Sequence, residues 1–391
     1  MDKRIYFDYN ATTPLSKEVL EFYTEKLSEY ANASSLHQDG RAARKDIEKA
    51  RGHVAALVNV NPDEILFTSG GSESNNTVLN SMLAEGKKRG KNVIVTTQIE
   101  HPCVLEASKR LASFGMEVIY LPVDEWGSVK LDEYKKALEK KPLLVSIMTA
   151  NNEIGTIQDI KELCSMAHEA GALFHTDAVQ AAGKIPVDLK EWNVDYATFS
   201  CHKIYGPKGV GALYVKKGSP VEPLIRGGHQ ENGLRAGTYN APAIAAYGKA
   251  AELALKDIEN YGTHTRALRN KLRDGLLAAI PNIRVNGHPE KVLPNTLDVS
   301  FPGAEGESIL LHLDLLGVDV STGSACASGS LEPSHVLVAT GLGPELAHGS
   351  IRFSFGKYNT EEEVDYVLEH FPPVIEMLRK MSTAYTDTNS K

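Results

Sequence analysis

Five short polar stretches of the chain each close an apolar run, and in open parallel α/β sheets such strand ends are where functional groups gather. In Thr68-Ser69-Gly70-Gly71-Ser72-Glu73-Ser74-Asn75, two glycines lead from an apolar run into helical sequence, whose free N–H groups and positive dipole end suit a phosphate. The spacing is neither G-x-x-x-x-G-K-[ST] nor G-x-G-x-x-G, so the phosphate belongs to a different kind of carrier. Phe199-Ser200-Cys201-His202-Lys203 ends a second run in a lysine. Desolvation there lowers an ammonium's pKa toward what imine chemistry requires, although a strand-end lysine can equally emerge into solvent. His175-Thr176-Asp177-Ala178-Val179-Gln180 offers a carboxylate able to keep a ring nitrogen protonated or, as Asp often does, to cap a following helix. Glu100-His101-Pro102 and Ala150-Asn151-Asn152-Glu153 close the remaining two, and each alone reads as structural.

Together the stretches supply a lysine for a Schiff base, an Asp for a pyridinium nitrogen, a Gly-Ser turn for a phosphate and a His that can stack on a ring. That inventory matches pyridoxal phosphate. The elements that must position these groups show as rhythm. From about residue 16 to 258, helical patterns alternate with apolar runs at 65–68, 93–96, 118–121, 143–148, 173–176, 196–200 and 211–215. Several runs are too apolar to be one-sided, as expected of strands covered on both faces. Ile160, Leu163, Cys164 and Ala167 recur at helical spacing, as do Ile47, Ala50, Val54 and Leu57 or Val58. The fold class is therefore α/β with a mostly parallel sheet. After about 259 the pattern changes to a long helix over 267–279, a strand over 296–301 and a closing helix opened by a Thr360/Glu363 capping box, interrupted at Pro372-Pro373 and followed by a frayed tail from Thr383. The expected division is a large unit, 16–258, and a smaller α+β unit built from 1–15 and 259–391.

Composition excludes several classes. Hydrophobic residues make up 42% and charged residues 24% of 391 residues, as in an ordinary globular protein. A net charge of −8 argues against nucleic acid as a partner. No apolar leader or uninterrupted membrane-length apolar window is present, so a cytoplasmic protein with no membrane association is expected. The four cysteines, Cys103, Cys164, Cys201 and Cys326, have neither C-x-x-C spacing nor a disulfide-framework density, so no metal is expected. Cys326 lies in Ser321-Thr322-Gly323-Ser324-Ala325-Cys326-Ala327-Ser328-Gly329-Ser330, small residues that pack poorly, which predicts an exposed, mobile thiol. Cys103, Cys164 and Cys201 read as packing residues.

Along nearly its whole length the sequence resembles cysteine desulfurases of the NifS/IscS type, within the class V aminotransferase family and its aspartate-aminotransferase-like, fold type I architecture. The resemblance is carried by Tyr9-Asn10-Ala11-Thr12-Thr13, Ser34-Ser35-Leu36-His37, Glu100-His101-Pro102, Asn151-Asn152-Glu153, His175 to Gln180, His202-Lys203, Arg235-Ala236-Gly237-Thr238 and, most specifically, Gly323-Ser324-Ala325-Cys326. It implies that Lys203 holds pyridoxal 5′-phosphate, Asp177 pairs with the ring nitrogen, His101 stacks on the ring and moves protons, and Gln180 meets the phenolic oxygen. Gly71, Ser72, Ser200 and His202 would hold the phosphate, with Thr238 contributed from the other subunit of a homodimer. Asn152 and Arg352 would hold the carboxylate of L-cysteine, Arg through two parallel hydrogen bonds. Cys326 would take the sulfur as a persulfide, releasing alanine, and pass it to an iron–sulfur assembly scaffold or another acceptor. A selenocysteine lyase is the alternative, separable by its indifference to Cys326. Three departures stand out: Cys201 where the family has a small Gly or Ala, Ala33 in place of Pro, and Gly71-Ser72 where a small residue and Thr are usual. A cysteine at 201 would crowd the lysine loop.

Overall fold

A computed structural model describes residues 4–322 and 333–382. Its larger sheet has seven strands in the order Ile65–Thr68, Gly211–Val215, Tyr196–Ser200, Leu173–Asp177, Leu144–Ser146, Val93–Thr97, Glu117–Leu121. Only Gly211–Val215 runs antiparallel to its neighbours, so the other six strands end on the same edge. Alternation splits each strand's side chains between two faces. Phe67, Val95, Val145, Phe174, Ala197 and Phe199 pack on one side against the helices Gln38–Leu57 and Ile160–Glu169. Leu66, Ile94, Leu144, Leu173 and Tyr196 pack on the other against Gly71–Arg89 and Pro102–Ser113. This two-sided cover explains why the central strands read as continuous apolar runs.

A second, antiparallel sheet runs Ser321–Thr322, Ser350–Ser354, Thr296–Ser300, Arg284–Asn286. The amino-terminal Ile5–Tyr6 pairs in parallel with Val318–Asp319, and Ile5 and Phe7 join the core of this second layer. Both layers share one 39-residue helix, Ala241–Ala279: Ala243 to Ala251 pack in the first core, Leu268 to Leu276 in the second. The long helix expected to begin at 267 thus starts 26 residues earlier, capped by the Asn240 side chain, and the anticipated division at 258–259 falls inside it. Its middle holds Gly262 and Thr263, poor helix formers that break the pattern in sequence but not in structure.

The closing helix, Glu361–Met381, has the expected Thr360/Glu363 capping box, yet Pro372 and Pro373 do not interrupt it. Its apolar stripe, Val364, Val367, Phe371 and Ile375, is fully buried, and side chains of this size contribute about 1.5–3 kcal/mol each. Against that sum an interior proline costs ~3 kcal/mol. Among the described residues no helix is long and apolar enough to cross a membrane.

Candidate active site

A cleft of about 290 Å³ opens where the six co-directed strands end, and it is lined from both layers. Gly71, Ser72, His101, Asn152, Asp177, Gln180, Ser200, His202, Lys203 and Arg352, all singled out from sequence, line it together. Thr238 does not: it is exposed beside a separate depression formed with Phe67, Ser69, Glu231 and Arg235. Cys326 lies outside the described residues.

One corner lies at a helix start, where an anion is favoured. Gly71 opens the helix Gly71–Arg89, whose first N–H groups have no partner within the helix, and an ideal Cβ there would sit 3.0 Å from Val179 Cγ2, so a side chain would crowd this helix start. The Ser72 and Ser200 hydroxyls and the His202 ring flank this helix start. Burial, with Lys203, Lys208 and Lys184 nearby, pushes His202 down to about 4, so it is neutral.

The floor carries Asp177, almost wholly buried at the end of its strand. Its Oδ2 accepts from Asn75 Nδ2 (2.7 Å) and its Oδ1 from the Val179 N–H (3.0 Å). It caps a turn rather than a helix, since no helix begins until Leu189. His101 Nδ1 accepts the Cys103 N–H at 3.2 Å, which places the proton of the neutral ring on Nε2. Burial lowers its pKa; Asp177 opposes the shift, while Lys203 and His335 reinforce it.

Lys203 is half-buried in the turn Cys201–Lys203, and its Nζ donates to the Asn10 and Ala11 carbonyls (2.5 and 2.7 Å). The amino-terminal segment is locked over this turn: Thr13 N–H donates to the His202 carbonyl (3.0 Å) and the Tyr205 N–H to Thr13 Oγ1 (2.8 Å). Arg352 comes from the second sheet. It is 3% exposed, pairs with Asp8 Oδ1 through Nη2 (2.7 Å) and donates from Nη1 to the Asn152 carbonyl (3.0 Å). Its Nε is buried with no hydrogen-bond partner among the described residues, and Nη1 and Nη2 each keep a second N–H.

Several participants had no assigned role in sequence. Asn10 and Ala11 act through backbone carbonyls, which no side-chain motif announces. Cys103 packs against the Val78–Leu79–Met82 cluster as expected but also lines the cleft, its Sγ 3.0 Å from His101 Nδ1. Burial and Asp177 push its thiol up to about 12, so it is no thiolate. Cys201 is fully buried and faces away from the cleft: an ideal Cβ on Gly206 would lie 2.1 Å from its sulfur, so Gly206 makes the room that the lysine loop needs. Glu100 and Glu153 are buried carboxyls that desolvation raises to about 8 each. The chain returning from 323–332 meets both: Ser334 Oγ donates to Glu153 Oε2, and His335 Nε2 lies 3.0 Å from the Glu100 carbonyl.

The donor set fits pyridoxal phosphate: an amine, a fixed carboxylate, a side-chain-free helix start for a phosphate and an incompletely used guanidinium share one cleft. Comparisons with known proteins agree. The model of the family described as Aminotransferase class-V matches residues 5–367. "Cysteine desulfurase IscS" of Dictyoglomus turgidum is 50% identical, over 98% of this chain and 97% of that one. Among solved structures, a "NifS-like protein" superposes with a TM-score of 0.90 at 44% identity, covering 96% and 100% of the two chains. "SspA in complex with cysteine" does so with 0.79 at 35%, covering 91% and 100%.

Proposed function

The chain belongs to the class V aminotransferase family and is a pyridoxal-phosphate-dependent cysteine desulfurase of the NifS/IscS type, and from that premise we propose how its own residues divide the work. The observation that carries the reading is the convergence of Lys203, Asp177, His101 and Arg352 in one cleft from four separate stretches of chain. When bound, the cofactor supplies an electron sink that lets the substrate's α-proton leave and its sulfur become electrophilic. Lys203 Nζ holds the cofactor and, once the substrate amine has taken its place, moves the proton at Cα. Asp177, fixed by Asn75 and the Val179 N–H, holds the proton of the ring nitrogen. His101 donates from Nε2, and Gln180 donates to the phenolic oxygen. Gly71, Ser72, Ser200 and His202 bind the phosphate, with Thr238 of a second copy completing it in a homodimer. Asn152 and the unused N–H groups of Arg352 hold the substrate carboxylate.

Cys326 acts as the nucleophile. Its thiolate attacks the substrate sulfur, an S–S bond forms as the C–S bond breaks, and the carbon keeps the bonding pair until a proton converts it to the methyl of alanine. The persulfide then passes to an acceptor such as an iron–sulfur scaffold in the cytoplasm. Residues 16–258 supply the cofactor side chains; 1–15 and 259–391 supply Arg352 and Cys326. The test is single-turnover alanine formation from L-cysteine with mass analysis of Cys326. A persulfide on Cys326 in wild type and no alanine from Cys326→Ala is the expected result; full alanine yield from Cys326→Ala refutes this assignment of the nucleophile.

A further inference from the structure

Behind the cleft sits a second lysine that the reaction as derived does not use. Lys184 is 3% exposed, and its Nζ donates to Asn10 Oδ1 (2.9 Å) and Gln180 Oε1 (2.5 Å). No carboxylate pairs with it among the described residues; the charges that bear on it are Lys203 and Arg352, both of its own sign. Burying an amine this way is costly, and such groups persist where they serve a site.

Its two partners are the residues that touch Lys203 or the space in front of it. Asn10 uses its Oδ1 for Lys184 and for Asn295 Nδ2 (3.0 Å), its Nδ2 for Thr296 Oγ1 (2.8 Å) and the Asn152 carbonyl (3.2 Å), and its own carbonyl for Lys203 Nζ. Gln180 has two ends of opposite polarity and could present either to the cleft it lines. The Asn10 carbonyl can only accept, so the N–H end of Gln180 turns toward it at 3.0 Å, and Oε1 accepts from Lys184 Nζ; the two contacts together set the amide.

We propose that Lys184 is a positioning residue: by holding Gln180 Oε1 and Asn10 Oδ1 it keeps the Gln180 amide with its N–H₂ end toward the cofactor's phenolic oxygen. This rests on the role given to Gln180 above. Without the buried donor only the Asn10 carbonyl opposes a turn of the amide, and in the turned state an oxygen would face the phenolic oxygen.

The pH titration of the bound cofactor's visible absorption band tests this without reference to turnover. The titratable and charged groups facing the cofactor are Lys203, Asp177, His101, His202, Cys103 and Arg352 with its partner Asp8, and all stay in place in the variants below. A donor on the phenolic oxygen favours the deprotonated form. Lys184→Met should therefore raise the midpoint by about one pH unit, the size of one charge-assisted hydrogen bond. Gln180→Leu should raise it equally, the double variant no further, and Lys184→Arg should return it toward wild type. A midpoint unmoved in Lys184→Met but raised in Gln180→Leu overturns the inference alone, as do additive shifts; a midpoint unmoved in Gln180→Leu overturns the role of Gln180 and the inference with it. If Lys184→Met does not accumulate as holoenzyme, Lys184→Gln, which keeps an N–H donor at shorter reach, should give a smaller rise of the same sign, and no rise there refutes the proposal.

Discussion

Replacing Arg352 by alanine removes the one guanidinium that lines the cleft among the described residues, and the structure sets the size of the loss. Two of its five N–H groups are committed, from Nη2 to Asp8 and from Nη1 to the Asn152 carbonyl, and each of these nitrogens keeps a second N–H, so a substrate carboxylate can take two parallel hydrogen bonds without displacing either. Two charge-assisted bonds at about 1.5–3 kcal/mol each amount to ~3–6 kcal/mol. At ~1.36 kcal/mol per decade, kcat/KM for L-cysteine should fall roughly 10²- to 10⁴-fold. Arg352→Lys keeps the charge but not the fork and should lose about 10- to 100-fold. The assay is alanine formation from L-cysteine, with cysteamine, which has no carboxylate, as the control through its effect on the cofactor's visible band. Cysteamine should bind variant and wild type alike. A loss below tenfold on L-cysteine, or an equal loss on both amines, would falsify the assignment of Arg352 to the carboxylate.

Gly206→Ala should destabilise the protein by about 1–3 kcal/mol, since the new methyl meets the Cys201 sulfur, and Cys201→Gly in the same chain should recover most of it. Chemical denaturation of wild type and the three variants measures the coupling, and simple additivity would contradict the contact. Thr238→Ala should weaken cofactor retention although Thr238 lies outside the cleft of its own chain; unchanged affinity in gel-filtered protein counts against a site shared between two copies. Burial raises Glu100 from 4.5 to about 8, so the folded state holds a proton that the unfolded chain releases. The stability it contributes is complete below pH 4.5 and is lost as pH rises through about 8. Glu100→Gln should flatten that part of the pH–stability curve, read from urea midpoints; an unchanged slope means that Glu100 is ionised in the fold.

Where local chemistry decided a role, the sequence was readable. Asp177 ends its strand, Lys203, His101 and Asn152 follow theirs by three, four and six residues, and six strands ending on one edge bring them together. The periodicity that announces a strand also announces its end. What stayed hidden depended on distance or on backbone. Lys203 is held by carbonyls of residues 10 and 11, far upstream in the chain, and a carbonyl leaves no mark in residue identity. Arg352 and Thr238 were named from family resemblance, not pattern, because nothing in a five-residue strand or a Gly-Thr pair says which cleft it faces. Pro372 and Pro373 misled because local propensity was weighed without the buried stripe beneath them, and Gly262 and Thr263 hid one continuous helix in the same way.

The cleft is assembled from both ends of the chain. Asn10 N–H donates to Ser354 Oγ at 2.9 Å, Ile5 pairs with Val318, and Asp8 meets Arg352 across 344 residues. During synthesis Lys203, Asp177 and the helix start at Gly71 all emerge long before the strand Ser350–Ser354. Contacts of such sequence separation form late. A nascent or truncated chain that stops short of residue 350 therefore possesses the amine but lacks the guanidinium, and the amino-terminal segment has no sheet to dock on.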